Sequence, residues 1–511
     1  LTQNPTWQDT SARDRAAWRR HGATDVTELD IGSLPTACTG RPDLRALLFP
    51  AESNRWLTHG EIAERSAGTA SWLRANGLRP GARVLLCGHN SAALVLAYFA
   101  VLRAGATVVL ANPAYTSEEL AHLVTDSQAE WAFAAHPATE RIAGLGLQLV
   151  PLDEPLPEAA LDRVTDDEHE LALLAYTSGT TGTPKGVPLT HGNLLASIRA
   201  AMQAWRWRED DVLVHSLPLS HQHGLGGVHA TLLAGSSAVI LPDFDPARLT
   251  EAMRAHGATV LFAVPAIYER LVDDAPEALA TPTLRLAVSG SAPLSPALAD
   301  RLAQVMGVPP LERYGSTESG LDVSNVIDGP RIPGTVGLPL PGVELRIADE
   351  SGDDAPEGEI LLRGPQVFTG YWNRPEATRE AFHPGGWFRT GDLGRLDPDT
   401  GYLRITGRKK ELIITGGLNV YPREVELALE RHPRIAEAAV AGLPSPRWGE
   451  QVTAWVVPTG PVDSDDLRAH CRKLLAAYKC PKQVFVVDSL PRNSMGKLRR
   501  SALEPPERQA R

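Results

Sequence analysis

The chain has 511 residues, 43% hydrophobic and 22% charged, which is ordinary globular usage and excludes a disordered or fibrous protein. At roughly 150 residues per domain it holds about two to four domains. Its 50 Lys and Arg against 61 Asp and Glu give −11 at pH 7, which argues against a general binder of nucleic acid or anionic membrane but allows a local basic pocket for a small polyanion.

Residues 1 to about 45 are polar and lack a clear period, apart from a helical stretch around Ala12 to His21, and read as an arm lying on the body. From Leu57 helix and strand alternate. Thr58-His-Gly-Glu61 is a capping box that opens a helix running to Asn76. Val84 to Cys87 is a short buried strand, Ser91 starts a helix that ends at Gly105, and Thr107 to Leu110 is strand again. The apolar run Ala92 to Leu102 ends at Arg103, well short of the ~18 residues of a spanning helix. The alternation recurs at Leu171 to Tyr176, Ala238 to Leu241, Val260 to Phe262 and Arg285 to Val288, and predicts parallel-rich sheets covered by helices, an α/β fold.

After about Pro330, Gly334, Gly337, Pro339, Pro341 and Gly342 punctuate short β-like runs, and a smaller β-rich subdomain is expected over about 331–407. The charged connection Gly407-Arg408-Lys409-Lys410 then leads into residues 408–511. These have their own strand–helix pattern and are expected to form a small α+β C-terminal domain. Four cysteines, Cys38, Cys87, Cys471 and Cys480, are too few and scattered for a disulfide framework or a zinc site. With Asp9, Arg13, Asp14 and Arg15 preceding any apolar stretch, the reading is a cytoplasmic protein with no membrane span.

The segment Tyr176 to Gly186, YTSGTTGTPKG, follows an apolar strand and precedes a helix starting near Thr190. Glycines let a backbone approach an anion, hydroxyls and N–H groups donate to it, and Lys185 adds charge. Pro184 breaks the Walker spacing, so this is a different kind of phosphate loop or a flexible surface turn. Further along, Asp392 could cap a turn, Glu318 could be a solvated carboxylate, and Lys497 could belong to a basic tail with Arg499 and Arg500. His221 and His223 in PLSHQHGLGG lack the extra carboxylate or thiol of a zinc site; His223 and His229 read as packing residues.

Five segments occur in order: TSGTTGTPKG, YGSTE (Tyr314 to Glu318), FRTGDL (Phe388 to Leu393), GRKKELIITGGLNVYPREVE (Gly407 to Glu426) and PRNSMGK (Pro491 to Lys497). Together they resemble the adenylate-forming superfamily, and connecting pieces such as SGSAPL and GYWNRPEAT resemble its acyl-CoA synthetase branch. The resemblance implies ATP-dependent activation of a small-molecule carboxylic acid to an acyl adenylate, then transfer to coenzyme A. A carrier-protein thiol as acceptor, or an enzyme that stops at the adenylate, is the alternative, and an inactive nucleotide-binding regulator is a third.

It also implies roles. Thr177, Ser178, Gly179, Thr180, Thr181, Gly182 and Lys185 would hold the β- and γ-phosphates of ATP. Tyr314 would stack on adenine, with Ser289, Gly290, Ser291, Ala292 and Pro293 as the other wall and Glu312, Arg313, Gly315 and Ser316 beside it. Glu318, with Thr177, would serve Mg2+, and Thr317 the α-phosphate. Asp392 would accept from the ribose hydroxyls, helped by Arg408. Lys497 would bridge the substrate carboxylate and the α-phosphate. His221 would line the tunnel between acyl pocket and thiol entry, and Val264, Tyr268, Arg270, Ser289, Gly290, Gly315, Ser316 and Leu321 would shape the acyl pocket. Lys410 matches the hinge, about which the small domain rotates to exchange Lys497 for the Gly416-Gly417 loop.

The stretch VPAIYERL, with LERYGSTE, is similar to malonyl-CoA synthetases, in which arginines matching Arg270 and Arg313 hold a distal carboxylate. Arg270 can instead pair with Asp274 one turn on, and Arg313 can tie its loop to the core. A small dicarboxylate and a larger aliphatic, alicyclic or aryl acid both stay open. The absence of an aspartate within PLSHQHG disfavours an amino acid substrate.

Overall fold

The computed structural model describes residues 30–38, 40–159, 171–177, 184–416, 418–492 and 497–506. The expected helix at Ala12 to His21, the loop residues Ser178, Gly179, Thr180, Thr181 and Gly182, and Gly417 lie outside them. Four sheets form. In the first, the strands Gln148–Pro151, Trp131–Ala134, Arg83–Cys87, Thr107–Ala111 and Leu171–Thr177 lie side by side and parallel, and Lys185–Thr190 closes the edge antiparallel. The second has nine strands. Its centre is a parallel run of Leu311–Tyr314, Leu286–Ser289, Val260–Ala263, Val212–His215, Ser237–Ile240 and Arg45–Leu48, with short antiparallel strands at both edges.

Apolar burial joins the two sheets. The helix Ala92–Arg103 is apolar on every side, and Leu94 to Leu102 are all buried, as a helix enclosed in protein must be. It contacts the first sheet at Arg83–Cys87 and Thr107–Ala111. Its Tyr98 meets His229 of the helix Gln222–Ala234 at 3.0 Å. Local signals hold where a side chain caps its own helix: Thr58 Oγ1 accepts from Glu61 N at 3.1 Å, and Glu61 Oε2 accepts from Thr58 N at 2.9 Å, opening His59–Ala75.

One expectation holds with an addition, and one is corrected. The helix expected near Thr190 is preceded by a strand, Lys185–Thr190, that pairs antiparallel with Leu171–Thr177. The helix His191–Ala204 then starts at Thr190 through a second capping box. Pro188 obscured the strand in the sequence; it is tolerated because Lys185–Thr190 is an edge strand. The described end of the presumed arm is core: Ile31 and Leu34 are wholly buried, and Arg45–Leu48 pairs with Ser237–Ile240. Ala46, Leu47 and Leu48 are buried in succession, so this short strand has no alternation to betray it.

The third sheet is antiparallel: Glu344–Ala348, Glu357–Arg363, Trp387–Leu396, Phe382–His383 and Leu403–Arg408. A 3-10 turn, Lys409–Glu411, leads from it into the fourth sheet. That sheet comprises Leu418–Val420, Ile413–Thr415, Gly449–Pro458, Ile435–Ser445 and Gln483–Val486, with the helices Pro422–Glu430 and Ser464–Leu474. It has its own core around Val425, Leu429, Val440, Val452, Val456 and Leu467.

Candidate active site

Strands of the second sheet end side by side, and the segments after them converge at that carboxyl edge: His215 onward, Val264 onward, Ser289 to Pro293, and Tyr314 to Glu318. Ligands in open α/β sheets bind at such an edge. Two glycines let the last two segments close up. A Cβ at Gly290 would stand 2.3 Å from Arg313 Nε, and one at Gly315 would stand 2.0 Å from Gly320 O. Ser291, a non-glycine at φ +70°, holds left-handed backbone in the same wall, with its Oγ 3.4 Å from His223 Nδ1.

The third sheet adds Asp392. Tyr314 OH donates to Asp392 Oδ2 at 2.7 Å, and Arg408 Nε pairs with Oδ1 at 3.0 Å, so the ring of Tyr314 is fixed and buried at the cleft wall. Both carboxylate oxygens keep lone pairs for further donors. Lys497 comes from the C-terminal segment. It keeps solvent contact, yet the protein crowded around it and the neighbouring Arg408 hold its ammonium below the ordinary lysine value, while Asp392, Glu411 and Glu318 act the other way.

At the first sheet, Thr177 and Lys185 face each other at the end of this antiparallel pair. The Lys185 ammonium sits 5.1 Å from the centre of the Tyr371 ring, and Tyr371 OH donates to Glu318 Oε1 at 3.0 Å. Tyr371 thus joins the expected phosphate-loop lysine to the expected metal carboxylate, a role that no residue pattern announces. Thr317 O accepts from Gln222 Nε2 at 3.0 Å. Among the described residues no cluster of three or more acidic, His or Cys side chains could cage a metal. A single hard carboxylate oxygen such as that of Glu318 nonetheless fits Mg2+, which is commonly bound through one or two carboxylates together with substrate phosphates and waters.

Around these segments several polar side chains carry buried atoms with no partner. Ser220 Oγ, His221 Nε2, His223 Nε2, His215 Nε2, Ser289 Oγ and Arg313 Nε are all buried without a hydrogen-bond partner among the described residues. Burial pushes His215 and His221 down to about 4, and His223 lower than its ordinary value through burial, then Arg313 and the other two rings. These imidazoles are uncharged at neutral pH, which leaves Arg313 as the cation among these groups. Burial lowers Arg313 itself to about 10. Opposite, Ser316 Oγ meets Ser319 Oγ at 2.9 Å, Ser319 donates to Asp322 Oδ2 at 2.5 Å, and Gln366 donates to Asp322 Oδ1 at 3.1 Å. Burial pushes Asp322 up to about 7 and Glu312 up to about 8. Asp322 was missed by sequence reading because one acid in GLDVSNV has no motif around it.

Other expected pocket residues fall differently. Val264 and Leu321 are buried at the strand ends, with Leu321 N donating to Ser197 Oγ at 2.9 Å. Tyr268 is fully buried, but its OH donates to Val288 O at 3.0 Å, so it braces the strand that ends at Ser289. Arg270 departs from the expected carboxylate-holding role: it is exposed and pairs with Asp274 at 2.7 Å, the pairing its spacing along one helix favours. Lys410 lies exposed in the 3-10 turn, and Gly416 N donates to Trp448 O at 2.8 Å within the fourth sheet.

The residues expected to serve an acid-activating, nucleotide-dependent enzyme thus gather at one edge of the second sheet, with Tyr314 bonded to Asp392 and Lys185 beside Tyr371. The family described as AMP-binding enzyme matches residues 34–372, and the AMP-binding enzyme C-terminal domain matches 424–497. The chain is similar to oxalate–CoA ligase of Arabidopsis thaliana, 38% identical and covering 92% of this chain and 96% of that one. It is also similar to mitochondrial malonate–CoA ligase ACSF3 of Mus musculus, 34% identical, covering 87% and 86%. Among solved structures, ATP-bound MatB from Rhodopseudomonas palustris superposes with a TM-score of 0.86 at 37% identity, covering 93% and 98%. This chain belongs to the AMP-binding enzyme family. It is an AMP-forming carboxylate–CoA ligase, with ATP, Mg2+ and CoA as its co-substrates and cofactor. Among the described residues no helix is long and apolar enough to cross a membrane.

Proposed function

We propose that the enzyme activates a short carboxylic acid bearing a second carboxylate, and that its two half-reactions use the residues gathered in the cleft. The observation that carries the substrate reading is Arg313, whose buried Nε has no protein partner among the described residues, close to the uncharged His223 and opposed by Asp322, an acid that burial itself raises to about 7. A buried cation of this kind is stabilised by an anion with bidentate geometry. The names of the oxalate and malonate relatives point the same way.

In the first half-reaction a carboxylate oxygen attacks the α-phosphorus of ATP. The bond to the β-phosphate oxygen breaks and pyrophosphate leaves. Two anions must meet, so the protein supplies oriented positive charge: Lys185 and the loop before it toward the β- and γ-phosphates, and Lys497 between the acid and the α-phosphate. Thr317 contributes a hydroxyl to the α-phosphate. Glu318, steadied by Tyr371 and accompanied by Thr177, would hold Mg2+, which would neutralise phosphate charge. Tyr314 and the Ser289–Pro293 wall enclose adenine, and Asp392 accepts from the ribose hydroxyls through its remaining lone pairs. In the second half-reaction the CoA thiolate attacks the acyl carbonyl and AMP leaves. Uncharged His221 borders that path as a hydrogen-bonding wall, since a group titrating near 4 is a weak base at pH 7. The domain that begins at 408 turns about Lys410 to bring Gly416 and Gly417 in place of Lys497. The four described cysteines are all free thiols, in keeping with a reducing, cytoplasmic setting.

The test is pyrophosphate release and thioester formation, with and without CoA, over oxalate, malonate, methylmalonate, succinate, benzoate and a medium-chain fatty acid. Release confined to the short diacids, with acyl-CoA as product, is expected. Activation of benzoate or the fatty acid in preference would overturn the substrate reading. Release without thioester formation on CoA would point to another thiol acceptor.

A further inference from the structure

A lysine on a four-carbon stem stabilises developing charge only if its backbone is held in place, since a displacement of about 1 Å can cost ~100-fold in rate. The segment carrying Lys497 is fixed in three ways. Main-chain pairing closes it, with Arg492 bridged to Leu498 and Arg499 N donating to Pro491 O at 2.8 Å. Leu490, Leu498 and Leu503 pack with Trp455, whose Nε1 donates to Glu504 O at 2.8 Å. The third fixing is a charged fork at Arg500. Its Nε donates to Glu411 Oε2 at 2.7 Å, and its Nη1 donates to Glu426 Oε1 and, at 3.1 Å, to Val440 O. The Arg500 side chain is 18% exposed and that of Glu426 2%, so this is no solvated tail.

The two branches of the fork do different work. Glu426 belongs to the C-terminal core, where its Oε1 also accepts from Val440 N at 3.0 Å and Arg423 pairs with its other oxygen. Glu411 belongs to the linker turn Lys409–Glu411. At the start of that turn Lys409 pairs with Glu359 of the third sheet at 3.4 Å, and Arg408 just before it pairs with Asp392. Glu411 is also one of the anions acting on Lys497.

From these contacts we infer that Arg500 is a positioning residue for the first half-reaction: by gripping Glu411 it ties the Lys497 segment to the linker turn and so sets the lysine at the mouth of the cleft. The inference rests on the adenylation role proposed for Lys497. An arginine suits the position because its planar fork serves two carboxylates at fixed angles, which a lysine cannot do. Arg499 is exposed and contributes its main chain, which makes it the matched control for loss of basic charge.

The experiment measures both half-reactions in full-length variants. Arg500→Gln is expected to slow acid-dependent ATP–pyrophosphate exchange by about 10- to 100-fold through kcat, with KM for ATP and acid nearly unchanged. A supplied acyl adenylate should still be converted to the thioester at close to the wild-type rate. Arg500→Lys should recover part of the loss, and Arg499→Ala should behave as wild type. Glu411→Gln spares the Glu426 branch and so guards against a C-terminal domain that merely unfolds. It should lower exchange in the same direction, and the double variant should be no slower than Arg500→Gln alone. Wild-type exchange in both single variants, additive losses in the double variant, or equal loss of both half-reactions in folded protein would each overturn the inference. Lys497→Ala, run in parallel, separates the two levels. If it exchanges normally, the role of the lysine itself falls; if it alone loses exchange, only the part given to Arg500 falls.

Discussion

Asp392 meets two protein donors, Tyr314 OH and Arg408, and still has lone pairs directed at the cleft. Asp392→Ala therefore does two things: it removes the acceptor proposed for the ribose and it releases the Tyr314 ring. Loss of the hydrogen bonds alone is expected to weaken ATP by about 1–3 kcal/mol per unpaired hydroxyl. Asp392→Asn keeps a carbonyl oxygen and should be milder. The checking measurement is the ratio of KM for ATP to that for 2′-deoxy- and 3′-deoxy-ATP. The ratio should collapse toward one in Asp392→Ala, and an unchanged ratio would refute the ribose role. At the same scale, Arg270 shows how spacing on one helix decides a side chain's partner: Asp274 lies one turn away and holds the guanidinium at the surface.

The two large sheets and the helices on them bury groups that titrate in opposite senses, and this sets how the fold responds to pH. His59, His215 and His221 are pushed down to about 4, His229 to about 3, and His223 is also lowered, in each case chiefly by burial. For a lowered histidine the unfolded chain takes up a proton first as pH falls below ~6.5, so its stabilising contribution is present above that pH and is lost toward 4. Asp322 and Glu312, raised to about 7 and about 8, behave conversely: their contribution is present at low pH and is lost as pH rises through those values. Five histidines outweigh two carboxyls on the acid side, and the carboxyls dominate above neutrality. Urea unfolding from pH 5 to 9 should show greatest stability near pH 6.5–7, with a steeper fall on the acid side. A monotonic rise through pH 8 would contradict the burial of Asp322 and Glu312. Elements also explain which patterns were readable. The capping boxes at Thr58 and Thr190 are written within four residues, whereas the strand Lys185–Thr190 owes its existence to pairing with Leu171–Thr177.

For the whole molecule the consequence is that one cleft is assembled by four sheets, with the C-terminal one joined through a short turn at Lys409–Glu411. In this arrangement Lys497 faces Asp392 and Glu318 while Gly416 bonds to Trp448, which suits the first chemical step. Lys410→Pro fixes φ and removes an N–H at the turn. Adenylate formation should survive and thioester formation should fail, read by pyrophosphate exchange and by conversion of a supplied adenylate. Equal loss of both, with the protein folded, would place the pivot elsewhere.

Residue order alone determined the class of fold, the run of helices and strands, and the identity of the acid-activating chemistry. Apolar periodicity, capping boxes and five ordered motifs are all local in the chain, and each can be read without knowing what lies opposite. Tertiary structure alone decided which side chains share an environment. Tyr371 touches Glu318 across 53 positions of sequence, Arg500 reaches Glu411 across 89, and Arg313 lies close to His223 although the two follow different strands. Burial, ion pairing and the loss of water are properties of that shared environment, and they decided that Arg270 stays at the surface while Arg500 becomes part of the frame.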